Sequence, residues 1–129
     1  MTRRLFEVAV RLARWAAILS LTITVIGVLL PASDLPENLP PDYYLHGIGF
    51  GVPALLAAFA AQNRRNVTAV AISIILIALA SELAQYFVPG RDVSAHDMAA
   101  NAIGVAIGST VGSVIFSVLQ GLLRPLRSR

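Results

Sequence analysis

Apolar residues in this chain come in four long runs, each closed by proline, glycine or a charged pair. The first, WAAILSLTITVIGVLL from Trp15 to Leu30, extends back towards Leu12 if Arg14 bends its charged tip to the membrane interface, and Pro31 ends it. The second, Leu45 to Ala61, holds Gly47, Gly49, Gly51 and a central Pro53, which predicts a kinked helix supported by its neighbours. Arg64 and Arg65 follow it. The third, Val67 to Val88, is the most apolar in its middle, carries Glu82 and Gln85 near its end, and stops at Pro89-Gly90. The fourth begins near Ser94 and runs to about Gln120. Crossing a hydrocarbon core takes roughly 20 residues of helix. The pattern therefore predicts spanning helices near 12–30, 45–61, 67–88 and 95–120, in an all-α integral membrane bundle of four transmembrane helices that forms one domain over 1–129.

Composition supports the same solvent. Of 129 residues 57% are hydrophobic and 13% charged, against about a quarter charged in soluble domains. The length excludes a two-domain soluble enzyme, the absence of Cys excludes a disulfide scaffold, and the apolar content excludes disorder. The net charge of +3 comes entirely from arginines gathered at segment ends. That arrangement points to membrane lipids as partners and to no nucleic acid.

Arginine also predicts orientation, because short cytoplasmic loops are rich in it. Nine of the ten (Arg3, Arg4, Arg11, Arg14, Arg64, Arg65, Arg124, Arg127 and Arg129) fall on one side of the four segments. The other side has Asp34, Glu37, Asp42, Asp92 and Asp97 with Arg91 alone. Both termini are expected in the cytoplasm of a bacterial inner membrane. Thr2-Arg3-Arg4-Leu5-Phe6 also has the look of a twin-arginine export signal. Arg11 and Arg14 interrupt it, the apolar run is long for a signal core, and PASD is a poor cleavage site, so the run is expected to be retained.

Ionisable groups inside a span cost roughly 2.5 to 3.5 kcal/mol each on insertion scales, so those present need a reason. Here they share one depth. Asp42 and His46 are a helical turn apart at the outer start of the second segment, as are Asp97 and Asn101 in the fourth; Glu82 and Gln85 end the third, and Arg91 sits in the loop that follows. Purely structural roles compete for each. Asp42 would cap its helix, Ser94 with Asp97 would form a capping box, His46 would pack, Asn101 would bridge helices, and Arg91 would pair with Asp92. Glu82 is hardest to explain so, since Ile77 to Ala80 before it are all apolar and an unpartnered polar group there is costly. Glu82, Arg91 and Asp97 are expected in one interacting cluster.

Ala100, Gly104, Gly108 and Gly112, four residues apart, make a smooth stripe for close helix packing, within the bundle or in a homo-oligomer. Tyr43, Tyr44 and Tyr86, with Trp15 at the other boundary, fit interfacial belts. Gly90 suits a turn.

Together, DYYLHGIGFG and SELAQYFVPGRDVSAHDMAANAIGVAIG within a four-helix frame resemble the VanZ-like family of small bacterial membrane proteins. The resemblance runs from about Asp42 to Gly112. It implies an envelope protein of the kind linked to resistance to the glycopeptide teicoplanin.

Three functions fit the outer polar residues. In the first, the protein binds the head group of a lipid-linked or lipophilic envelope molecule, such as a lipoglycopeptide or lipid phosphate, through Asp42, Gln85, Arg91 and Asn101; the guanidinium fork of Arg91 suits a phosphate or carboxylate. In the second it acts on such a molecule, with Glu82 as general base, His46 as proton carrier, Arg91 as charge stabiliser and Asp97 beside them. His46, Glu82 and Asp97 would also offer a metal one nitrogen and two carboxylates, but one His and two carboxylates on separate segments are a weak signal, and no metal is assigned from them. In the third the network only ties helices together. Whether the protein is an enzyme, and what cofactor it uses, stay open at this level. A transporter fits poorly, since four helices without internal duplication leave little room for alternating access.

Overall fold

The computed structural model describes residues 3–61 and 63–123; Thr2, Arg124, Arg127 and Arg129 lie outside them. Four helices follow in order: α1 (Arg3–Val28), α2 (Asp42–Ala60), α3 (Arg64–Gln85) and α4 (Ala95–Leu123). All four are long and apolar enough to cross a membrane. A 3-10 turn, Ala32–Asp34, lies between α1 and α2.

α1 begins nine residues before the expected Leu12, and the reason is a helical stripe hidden by charge. Val10, Ala13 and Ala17 are buried, with Phe6 packed against the same cluster. These positions recur at helical spacing, while Arg3, Arg4, Glu7 and Arg11 between them break the apolar run that marks a span. α3 also starts earlier than predicted: Asn63 is its N-cap, and the Asn63 side chain accepts the Asn66 N–H at 2.9 Å. The helix ends at Gln85 because the N–H groups of Tyr86, Phe87 and Val88 donate three residues back, the tight winding typical of a helix end.

α2 starts at Asp42 rather than Leu45, with Pro41 as its N-cap and no side-chain cap. Asp42 is therefore the first helical residue and not the cap. Further on, α2 runs through buried Pro53 without a break. Proline has no N–H for the carbonyl four residues back, here that of Gly49. Thr24 of α1 supplies the donor: its hydroxyl lies 2.8 Å from the Gly49 oxygen and 2.9 Å from that of Ser20. A side chain at Gly49 would press on Thr24, so glycine is what admits this bond.

The helices alternate in direction along the chain, so α2 and α4 run parallel. Gly104, Gly108 and Gly112 lie against the backbone of Gly47, Gly51 and Leu55, and a Cβ at any of the three would collide with a carbonyl oxygen of α2. The stripe thus serves packing within the bundle. One end of the bundle closes on the rings of Phe6, Phe59 and Phe116, where Arg14 donates to the Ala60 carbonyl at 3.4 Å. Mid-bundle, Phe50, Ala54, Ile74, Ala78 and Val105 form the apolar core. The opposite end gathers the polar residues.

Candidate functional site

Residues from three helices converge there. His46, Glu82, Gln85 and Asn101 are each at most 2% exposed and Asp97 is 7% exposed. Asp97 comes from the first turn of α4, His46 from one turn into α2, and Glu82 and Gln85 from the last turn of α3. His46 Nδ1 stands 3.5 Å from Glu82 Oε2 and 3.3 Å from Asn101 Oδ1. One ligand atom from each of His46, Glu82 and Asp97 lies within 4.8 Å of the others.

Glu82 Oε1 accepts the backbone N–H of Ser94 at 2.7 Å. Ser94 in turn accepts the Asp97 N–H on its hydroxyl at 3.3 Å. Half of the expected capping box is therefore present, with Glu82 in place of Asp97 giving the return bond. The Asp97 carboxylate is left for the cluster with His46.

Arg91 stands apart from Glu82 and Asp97, and its partner is Asp42 rather than Asp92. Its Nη1 donates to Asp42 Oδ2 at 2.9 Å, and Nη2 donates to the Val28 carbonyl at 3.4 Å. Gln85 Nε2 donates to the same Val28 oxygen at 2.8 Å. Val28 ends α1, where carbonyls lack helical partners and the helix carries partial negative charge. One guanidinium thus bridges the C-terminus of α1 and the N-terminus of α2. The turn Val88-Pro89-Gly90-Arg91 aims it there: Arg91 N–H donates to Val88 O at 3.2 Å and Gly90 adopts φ 73°. Proline followed by a left-handed glycine is the pattern of a type II turn.

Two pieces of the site carry no signal in the side chains of the sequence, because the groups involved are the backbone carbonyl of Val28 and the N–H of Ser94. Among the described residues, the buried atoms His46 Nε2, Glu82 Oε2, Gln85 Oε1 and Asn101 Nδ2 have no hydrogen-bond partner. A buried imidazole beside a carboxylate can hold or pass a proton, and an unsatisfied buried set of this kind is unusual in a purely structural network. Beside it, a cavity of about 230 Å³ is walled by Leu35, Leu39 and Leu45 on one part and by Asp42, His46 and Arg91 on another.

A model of the family described as VanZ/LLP1 matches residues 37–119, more than half of the chain and all of the polar cluster. No curated protein and no solved structure gives a match. With four helices of membrane-spanning length around that matched segment, the chain is a multi-pass membrane protein and belongs to the VanZ/LLP1 family.

Proposed function

We propose that this VanZ-family protein sits in the bacterial plasma membrane with both termini cytoplasmic, and binds the polar head of a lipid-linked or lipophilic envelope molecule at the extracytoplasmic leaflet. The observation that carries this reading is the cavity beside the cluster, which joins leucine side chains to Arg91, Asp42 and His46. Such a lining matches an amphiphile, with the acyl part against Leu35 and Leu39 and an anionic head near the guanidinium. Arg91 is 7% exposed in its side chain and Asp42 43%, so Asp42 is the partner that an incoming phosphate or carboxylate can displace. A lipid phosphate or an acylated glycopeptide of the teicoplanin kind has the required chemistry.

A second reading is favoured by the bonds to Val28: Arg91 and Gln85 hold the helix ends together and bind nothing else. Mass spectrometry of lipids that co-purify with the protein separates the two. The parent protein should enrich an acidic amphiphile relative to the bulk membrane, and Arg91→Lys, which keeps charge but loses the fork, should lose much of that enrichment at equal abundance. A bulk-membrane lipid profile in both proteins would leave the structural reading standing. A change in the mass of the bound molecule with time would make the protein an enzyme as well as a binder.

A further inference from the structure

The inner wall of the site is crowded with side-chain oxygens around one imidazole. His46 Nδ1 faces Glu82 Oε2 at 3.5 Å and Asn101 Oδ1 at 3.3 Å, and the Asp97 carboxylate lies within the same 4.8 Å group. Both near neighbours of that nitrogen are oxygens, so a single N–H there can be directed at only one of them. Glu82 Oε2 has no hydrogen bond beyond this 3.5 Å approach of His46, although Glu82 is 0% exposed. The N-terminus of α4 explains Oε1, which takes the Ser94 N–H, and leaves Oε2 unexplained. Arg91 is turned to Asp42 and Val28. Two buried carboxylates and an imidazole therefore meet around a point that calls for positive charge.

We infer that His46, Glu82 and Asp97 bind a divalent transition-metal ion, with Asn101 Oδ1 as a further oxygen beside it. The spacing supports this. Ligand atoms placed tetrahedrally about 2.0–2.1 Å from zinc stand about 3.3–3.4 Å apart, close to the 3.5 Å between His46 Nδ1 and Glu82 Oε2 and the 3.3 Å between that nitrogen and Asn101 Oδ1. The three ligand atoms including that of Asp97 lie within 4.8 Å of one another, so the set would contract slightly around the ion. One imidazole nitrogen with carboxylate oxygens suits ions such as zinc or manganese, whereas an all-oxygen set would suit magnesium or calcium. The support behind the ligands is also in place: the Ser94 N–H fixes the Glu82 carboxylate, and the Ser94 hydroxyl holds the turn that carries Asp97. A cation here would act whether or not an amphiphile enters the outer cavity, and would present a positive face to an anionic head that did.

The test uses the tag-free full chain in detergent, stripped with chelator and titrated with zinc, manganese or magnesium while its melting temperature and bound metal are measured. About one zinc or manganese ion per chain is expected, with a raised melting temperature. Glu82→Gln and Asp97→Asn should each weaken binding by about tenfold or more, while Glu7→Gln, exposed near the start of α1 at the other end of the bundle, should bind as the parent does. Both ligand variants are read only if their helical circular dichroism matches the parent. The parent titration stands alone if neither variant folds. Absence of zinc and manganese binding by folded parent protein overturns the inference. So does parent-like binding in both folded variants, and so does a preference for magnesium.

Discussion

Glu82 and Ser94 are joined by a 2.7 Å hydrogen bond in which the Ser94 backbone N–H donates to one oxygen of a fully buried carboxylate. The bond does two things at once. It satisfies a free donor at the start of α4, and it points the other oxygen, Oε2, at His46. A side chain expected to need a polar partner thus has a backbone one on its first oxygen and a titratable one near its second.

That division makes the two obvious substitutions of Glu82 diverge. Glu82→Gln keeps an oxygen for the Ser94 N–H, so its stability should stay within about 1 kcal/mol of the parent. Glu82→Ala strands the part-buried Ser94 N–H and should cost about 1–3 kcal/mol. Both should lose lipid enrichment, at matched membrane abundance. Thermal melts in detergent and lipid mass spectrometry check this pair, and full enrichment in Glu82→Gln would remove the carboxylate from the site.

Close approach of α2 and α4 gives a sharper expectation for glycine. At Gly108 even one methyl group would meet the Gly51 carbonyl, whereas nothing lies near a Cβ at Gly121. Gly108→Ala should destabilise by about 1–3 kcal/mol through overpacking. Gly121→Ala should be neutral or slightly stabilising, as alanine is the better helix former. Equal melting of the two variants would mean that the helices do not meet at the glycine stripe.

Much of this fold can be read from the apolar runs, because in a membrane each helix must satisfy its own backbone and so announces itself by length and hydropathy. The start of α1 could not be read that way, since Arg3 to Arg11 dilute the run while Phe6, Val10 and Ala13 still make a buried stripe. The polar residues were recognisable as a group by their shared depth. Their pairing was not: Arg91 has an acidic neighbour in Asp92, but the turn at Gly90 carries it to Asp42, 49 residues away. Sequence spacing also cannot reveal partners such as the Val28 carbonyl, which every residue type carries alike.

Arginine placement predicts that the loop near Asn63 and the C-terminus face the cytoplasm, with Leu39 on the outer side. Reporter fusions at Asn63 and Arg129 should both give the cytoplasmic signal, and Leu39→Cys should react with an impermeant thiol reagent added outside intact cells. Labelling of that cysteine only from the cytoplasmic side would put the polar cluster, and any ligand it binds, at the inner leaflet.

Thr24 and Pro53 should prove energetically coupled although they do not bond to each other. Pro53 leaves the Gly49 carbonyl without its helical donor, and the Thr24 hydroxyl reaches that oxygen at 2.8 Å. Thr24→Val keeps the side-chain shape and removes the donor, which should cost about 1 kcal/mol in the parent. Pro53→Ala brings back an N–H that can reach Gly49, at the expense of some packing where the ring was buried. In that background the carbonyl no longer depends on Thr24, so Thr24→Val should cost only a few tenths of a kcal/mol. The difference between the two costs, read from a double-mutant cycle of unfolding midpoints, is the coupling. A cycle that sums to zero would mean that the Thr24 hydroxyl spends its proton on Ser20, the other oxygen it lies beside at 2.9 Å, and that the proline gap in α2 is bridged by something else.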